Sequence, residues 1–97
     1  MSDDRPAVLH LRVITPRRVL VDAEADEIQL PGLEGELGIL PGHQPLLVAL
    51  GRGVLSYRKG SGGESFPVQG GQAHILPDKV LVFTELNRDE PEPARQG

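Results

Sequence analysis

The apolar residues of this chain occur in short runs that Gly and Pro interrupt, at a spacing of about eight to twelve residues. In segment 8–14, for example, Leu9, Leu11 and Val13 alternate with polar residues. A period of two is typical of a half-buried strand, and Thr15-Pro16 is expected to end it. No window of ten or more residues has apolar positions at helical spacing. The sequence therefore predicts an all-β fold.

Further runs of this kind predict the other strands, at 18–22, 27–30, 46–50, 54–59, 64–69, 72–76 and 80–85. A short apolar segment at 37–40 is held between turns. The polar stretch 22–26 predicts a hairpin between the runs on either side of it, and 60–63 predicts a second hairpin tip. Pro67 cannot donate a ladder hydrogen bond, so it predicts an edge position or a bulge. About eight to ten short strands without connecting helices predict an antiparallel β-sandwich or flattened barrel.

The length of 97 residues fits one domain with one core. We assign this β-sandwich domain to residues 1–86. Residues 87–97 are polar and include Pro91 and Pro93, so they are predicted to form a disordered tail.

Composition excludes several classes of function. The net charge is -4 and the basic residues are scattered among acidic ones, so the electrostatic footprint of a nucleic-acid-binding protein is missing. The longest apolar run, 46–50, is too short to span a bilayer, and no signal peptide is recognisable. We therefore expect no nucleic acid partner and no direct membrane insertion.

The residues that commonly carry catalysis are dispersed. His10, His43 and His74 lack the spacing of metal ligands, and there is no Cys. The acidic pairs, which are Asp22 with Glu24, Asp26 with Glu27 and Glu34 with Glu36, are interpreted as solvated surface. We expect no catalytic residues, no metal and no cofactor. One alternative stays open, a small cupin-like metal- or ligand-binding β-barrel that uses His43 with Glu34 or Glu36.

Segment 30–43 is unusual because Gly32, Gly35, Gly38 and Gly42 punctuate it while it presents two acids and a His. We expect an irregular, rigid loop that serves as a binding surface.

This segment also carries a resemblance to a known family. Gly35-Glu36-Leu37-Gly38-Ile39-Leu40-Pro41-Gly42-His43, followed by Pro45 and Leu46, closely resembles the signature stretch of F-type ATP synthase epsilon subunits. The order of Thr15-Pro16, segment 19–21, Gly53-Val54-Leu55, Gly70-Gly71 and segment 80–83 also resembles that family. The resemblance covers about residues 8 to 85.

The resemblance implies a ten-stranded β-sandwich and a non-catalytic central-stalk (rotor) subunit. Such a subunit couples the gamma subunit to the membrane c-ring for proton-driven or sodium-driven ATP synthesis and hydrolysis. It is a peripheral membrane protein on the cytoplasmic face of the bacterial plasma membrane. The resemblance assigns c-ring contact to Glu36, His43 and Leu37. It assigns loop shaping to Gly32, Gly35, Gly38, Pro41 and Gly42.

Typical members of that family continue into a two-helix C-terminal hairpin that regulates hydrolysis and, in some of them, binds ATP. This hairpin is absent from the present sequence. Nucleotide binding is therefore not expected for this chain.

Overall fold

The computed structural model describes residues 8–85, which contain eight strands and no helix. The strands are β1 (Leu9–Ile14), β2 (Val19–Ala25), β3 (Glu27–Gly32), β4 (Gly35–Ile39), β5 (Leu46–Ala49), β6 (Arg52–Lys59), β7 (Gly62–Ile75) and β8 (Lys79–Glu85). The all-β prediction is confirmed. The predicted tail, 87–97, lies outside the described residues.

The strands form two layers that share β7. One layer has the order β2-β1-β8-β7-β5 and the other β7-β6-β3-β4, because the second half of β7 pairs with β5 and β8 while its first half pairs with β6. Neighbouring strands are antiparallel except β1 and β8, which are parallel. Parallel strands need a long connection between them. Because β1 and β8 are the first and last strands of the described chain, all the strands between them form that connection.

One core fills the space between the layers. Leu9, Leu11 and Val13 of β1 are fully buried, as their alternation predicts, and so are Val80 and Val82 of the neighbouring strand β8. The opposite layer buries the side chains of Ile28, Leu30, Ile39 and Leu55 in the same cluster. Burial of a side chain of this size contributes about 1.5–3 kcal/mol to stability.

The prediction of separate strands at 64–69 and 72–76 is wrong, because the single strand β7 runs through both segments. A bulge at Gly70 and Gly71, both with positive φ, bends it instead of ending it. Gly71 has φ +110°, and a Cβ built there would stand 1.9 Å from the Phe83 carbonyl oxygen. Pro67 has a registered neighbour on one side only among the described residues, Val54, in keeping with its predicted edge position.

The predicted hairpin around 22–26 is wrong. Strand β2 pairs with β1, whereas β3 pairs with β4 and β6, so the chain at Asp26 crosses between layers. The Asp26 amide donates to the Arg58 carbonyl at 2.7 Å, and the Gly60 amide donates to Asp26 Oδ2 at 2.7 Å. A polar connection is compatible with either a hairpin or a crossover. Here the hydrogen bonds of Asp26 to Arg58 and Gly60, at the β6–β7 turn, favour the crossover. The predicted hairpin tip at 60–63 is confirmed there, with its turn at Gly60 and Ser61.

We predict that Gly71→Ala destabilises the domain much more than Gly60→Ala. Both residues have positive φ, but a Cβ at Gly60 meets nothing within 4 Å, whereas at Gly71 it collides with the backbone of β8. Gly60→Ala should cost about 1–2 kcal/mol, the usual penalty of the left-handed conformation. Urea unfolding of the two variants checks this, and equal losses of unfolding free energy would contradict the role of the bulge.

We also predict that Asp26 makes stability depend on acid pH. The Gly60 amide, assisted by Lys59 and Arg58, holds the pKa of Asp26 below its ordinary value of 3.8. A lowered folded-state pKa gives stabilisation that is present above the unfolded value and is lost as the pH falls through the folded value. Below about pH 4, unfolding midpoints of the wild type should therefore fall more steeply than those of Asp26→Asn. Glu34→Gln, at an exposed carboxylate, serves as the control and should follow the wild type.

Candidate functional site

Most of segment 30–43 is a regular β-hairpin, so the prediction of an irregular loop is wrong for its greater part. Strands β3 and β4 pair with Gly32 opposite Gly35, Pro31 opposite Glu36 and Leu30 opposite Leu37, and residues 33–34 form the turn. Apart from this turn, only residues 40–43 of the segment lie outside strands. The glycines indicated a loop, but Gly35 and Gly38 lie in β4, the outermost strand of its layer, and Gly32 pairs with Gly35.

The glycines and Pro41 of this segment occupy different settings. Gly35 and Gly42 have positive φ angles of 138° and 88°, whereas Gly32 and Gly38 do not. Gly32 instead lies against the Gly35 carbonyl, because an added Cβ would stand 2.6 Å from that oxygen. Pro41 and Gly42 form the turn after β4, and the Gly42 amide donates to the Pro77 carbonyl at 2.8 Å. This bond fastens the β4–β5 connection to the β7–β8 turn.

The three residues assigned to partner contact do not form one cluster. Glu36 is exposed on β4 beside the hairpin turn, and Leu37 is half-buried against the core. His43 follows the far end of β4, with its Nδ1 2.6 Å from the Gln44 carbonyl oxygen. No hydrogen bond or ion pair of the described residues joins His43 to Glu34 or Glu36.

The metal-binding alternative needs a cluster of ligands. Within residues 8–85 no group of three or more His, Cys, Asp and Glu side chains is arranged to hold a metal ion. The other two acidic pairs lie in ion pairs instead: Asp22 contacts His10 and Arg12, and Glu27 contacts Arg58 at 3.1 Å.

A groove of about 500 Å³ separates the tip of the β3–β4 hairpin from strand β5. We call it the hairpin groove, and its lining residues include Leu33, Glu34, Glu36, Leu37, Leu46 and Leu47. Leu33 is 68 % exposed and Leu47 is 62 % exposed. Sequence reasoning placed a strand at 46–50 but missed its exposure. The signal was the run of adjacent leucines, since neighbouring side chains of a strand point to opposite faces.

A second, partly apolar surface lies at one end of the outer side of the layer β2-β1-β8-β7-β5, where the ion-paired His10, Arg12 and Asp22 occupy other positions. The strand registers place Val19, Ile14, Phe83, Gln72 and Ala49 in one row across five strands. We call this row and the groove of about 860 Å³ above it the outer face. The His74 ring packs edge-on against Phe83, at 5.4 Å between ring centroids. In a layer whose other side is the core, such a row is suited to a protein contact.

No helix among residues 8–85 could cross a membrane.

Solved structures share this fold. In the Euglena gracilis mitochondrial ATP synthase, determined as an assembly of OSCP, F1 and c-ring, a chain matches with a TM-score of 0.78 and 24 % identity. The match covers 87 % of this chain and 54 % of that one. A chain of the Tetrahymena thermophila mitochondrial ATP synthase central stalk and c-ring matches with a TM-score of 0.67 and 17 % identity, over 89 % of this chain and 75 % of that one. At these identities the likeness establishes the fold alone.

Sequence relatives are closer. The ATP synthase epsilon chain of Solibacter usitatus is 43 % identical over 84 % of this chain and 60 % of its own length. The epsilon chain of Gloeothece citriformis is 45 % identical over 77 % of this chain and 54 % of its own length. This chain thus spans little more than half the length of these relatives. The sequence profile described as "ATP synthase, Delta/Epsilon chain, beta-sandwich domain" matches residues 8–86. The chain therefore belongs to the family of ATP synthase delta and epsilon chain β-sandwich domains.

Proposed function

We propose that this chain is a non-catalytic central-stalk subunit of an F-type ATP synthase, where it couples the gamma subunit to the membrane c-ring. The observation that carries the proposal is the family match over residues 8–86, together with relatives named ATP synthase epsilon chains. Its work is mechanical, with proton or sodium flow through the ring linked to ATP synthesis and hydrolysis in the catalytic head.

Glu36, Leu37 and His43 are proposed to contact the polar loops of the c-ring. Glu36 is exposed and has no ion pair with another described residue, so its carboxylate is open to a charge-assisted hydrogen bond from a basic partner group. The Gly42 bond to Pro77 holds the connection that carries His43. Gly32, Gly35, Gly38, Pro41 and Gly42 are proposed to set the shape of this contact surface without making the contact themselves.

The gamma subunit is proposed to bind the outer face. The apolar members of its row, which are Val19, Ile14, Phe83 and Ala49, supply an apolar centre, and Gln69, Gln72 and Glu85 line the groove as polar groups. This combination of an apolar centre with a polar rim is common in stable protein interfaces. Contacts with gamma and the c-ring would hold the chain at the membrane surface as a peripheral protein, on the cytoplasmic face in a bacterium.

We predict that Glu36→Lys weakens attachment to the c-ring while the domain stays folded. Reversal of an exposed charge usually changes folding stability by no more than about 0.5 kcal/mol, but it places a cation against a basic partner. Co-purification of the chain with gamma and c subunits from membranes, together with ATP-driven proton pumping, measures the effect.

Glu64→Lys is the matched control, because it makes the same charge change at an exposed residue of β7 that lines neither the hairpin groove nor the groove of the outer face. The control should co-purify as the wild type does. If the wild-type chain bound neither gamma nor the c-ring, the proposed function would fall. If Glu36→Lys assembled and pumped normally, the role of Glu36 alone would fall.

A further inference from the structure

Strand β5 has one backbone edge that β7 does not use. The Leu50 amide donates to the Gly71 carbonyl at 2.9 Å, and this pair continues the β5–β7 register. Because backbone groups alternate between the two edges of a strand, Leu46 and Val48 also direct theirs toward β7. Leu47 and Ala49 therefore direct their N–H and C=O groups the other way, and the Gly51 amide also points to that side.

The end of β3 covers only part of that second edge. The Leu33 amide donates to the Ala49 carbonyl at 2.9 Å, and the Gly51 amide donates to the Pro31 carbonyl at 2.9 Å. At Leu33 the chain turns away into β4, whereas β5 continues toward Leu46. The N–H and C=O groups of Leu47 thus face the hairpin groove without a hydrogen-bond partner among the described residues.

The hairpin groove has the form that an extended peptide requires. One wall is the open edge of β5, and the other is the β3–β4 hairpin tip. Leu33 and Leu47 offer exposed apolar contact on the two walls. Natural edge strands are commonly protected by charges, Pro or bulges, but Leu46–Ala49 contains none of them.

The charged residues of the hairpin groove indicate which charge a bound peptide should carry. Its ionisable lining residues are Glu34 and Glu36, both exposed, and no cation is among the residues that line it. An occupant with a Lys or Arg would neutralise these carboxylates, whereas an acidic one would be repelled.

We propose that the hairpin groove binds an extended, basic segment of a partner protein, which adds a short strand to the open edge of β5. Leu47 supplies the backbone hydrogen bonds, alternate apolar side chains lie on Leu33 and Leu47, and a Lys or Arg meets Glu34 and Glu36. Addition of a strand to an exposed edge takes its affinity from backbone bonds and its specificity from alternate side chains. The inference rests on the proposed function only in that Glu36 is shared with the proposed c-ring contact.

The test uses the full chain and a capped peptide, Val-Lys-Val-Thr-Val, with Val-Glu-Val-Thr-Val as its charge-reversed control. Hydrogen exchange of the Leu47 amide is followed by NMR as each peptide is added. At saturation the Lys peptide should slow this exchange about tenfold, because the amide becomes hydrogen bonded. The Glu peptide should bind at least about tenfold more weakly, since it places a carboxylate against two others. Unchanged exchange with the Lys peptide up to its solubility limit, or equal binding of both peptides, would overturn the proposal.

Two variants separate the backbone contact from the side-chain contact. Leu47→Pro removes the amide that points into the groove and should abolish peptide binding, while the fold persists because Pro is tolerated where a strand amide faces outward. Leu47→Ala keeps the amide and should retain strand addition with reduced affinity. Peptide binding by folded Leu47→Pro equal to that of the wild type would also overturn the proposal. If circular dichroism shows that Leu47→Pro does not fold, the proposal is judged by the exchange of the Leu47 amide in the wild-type chain. Neither peptide involves gamma or the c-ring, so failure here would leave the proposed function to its own test.

Discussion

The close approach of two backbones at Gly71 governs how the layers of this sandwich are joined. Strand β7 bends there from one layer into the other while β8 stays paired with it, and a side chain at Gly71 would collide with the Phe83 carbonyl. The same bend anchors the connection between β5 and β6, because Leu50 and Gly51 bond to Gly71 and Gly70. The position of β5, and of both surfaces beside it, depends on this contact.

The hairpin groove arises where elements distant in sequence meet. The end of β3 meets the chain at the end of β5 through a bridge between Gly32 and Leu50, and the Leu33 amide donates to the Ala49 carbonyl before the chain reverses into β4. Strand β5 continues past that point, held by β7 on its other side. A cleft is left beside the uncovered part of β5, and it contains an apolar strand edge and the carboxylates of Glu34 and Glu36. In the proposed rotor subunit Glu36 lines this cleft, and the outer face proposed for gamma adjoins it along β5.

Elements with strong local signals were predictable. The alternation of β1 placed Leu9, Leu11 and Val13 in the core, and the glycines at 60–63 marked a hairpin tip. The path of the chain at segment 22–26 could not be predicted from local signals, since acidic residues are equally suited to a hairpin and to a crossover between layers. The glycines of segment 30–43 likewise indicated an irregular loop, although most of that segment is a paired hairpin at the edge of a layer.

By itself, the sequence determined the all-β class and, through the stretch from Gly35 to His43, the family, because alternation, turn residues and motifs are properties of neighbouring positions. The tertiary structure decided which strands pair, that Asp26 meets Gly60, and that Leu47 faces a groove instead of the core. These outcomes depend on contacts between residues far apart in the chain. Many arrangements of short strands satisfy the same local pattern, and only packing around the shared core selects one of them.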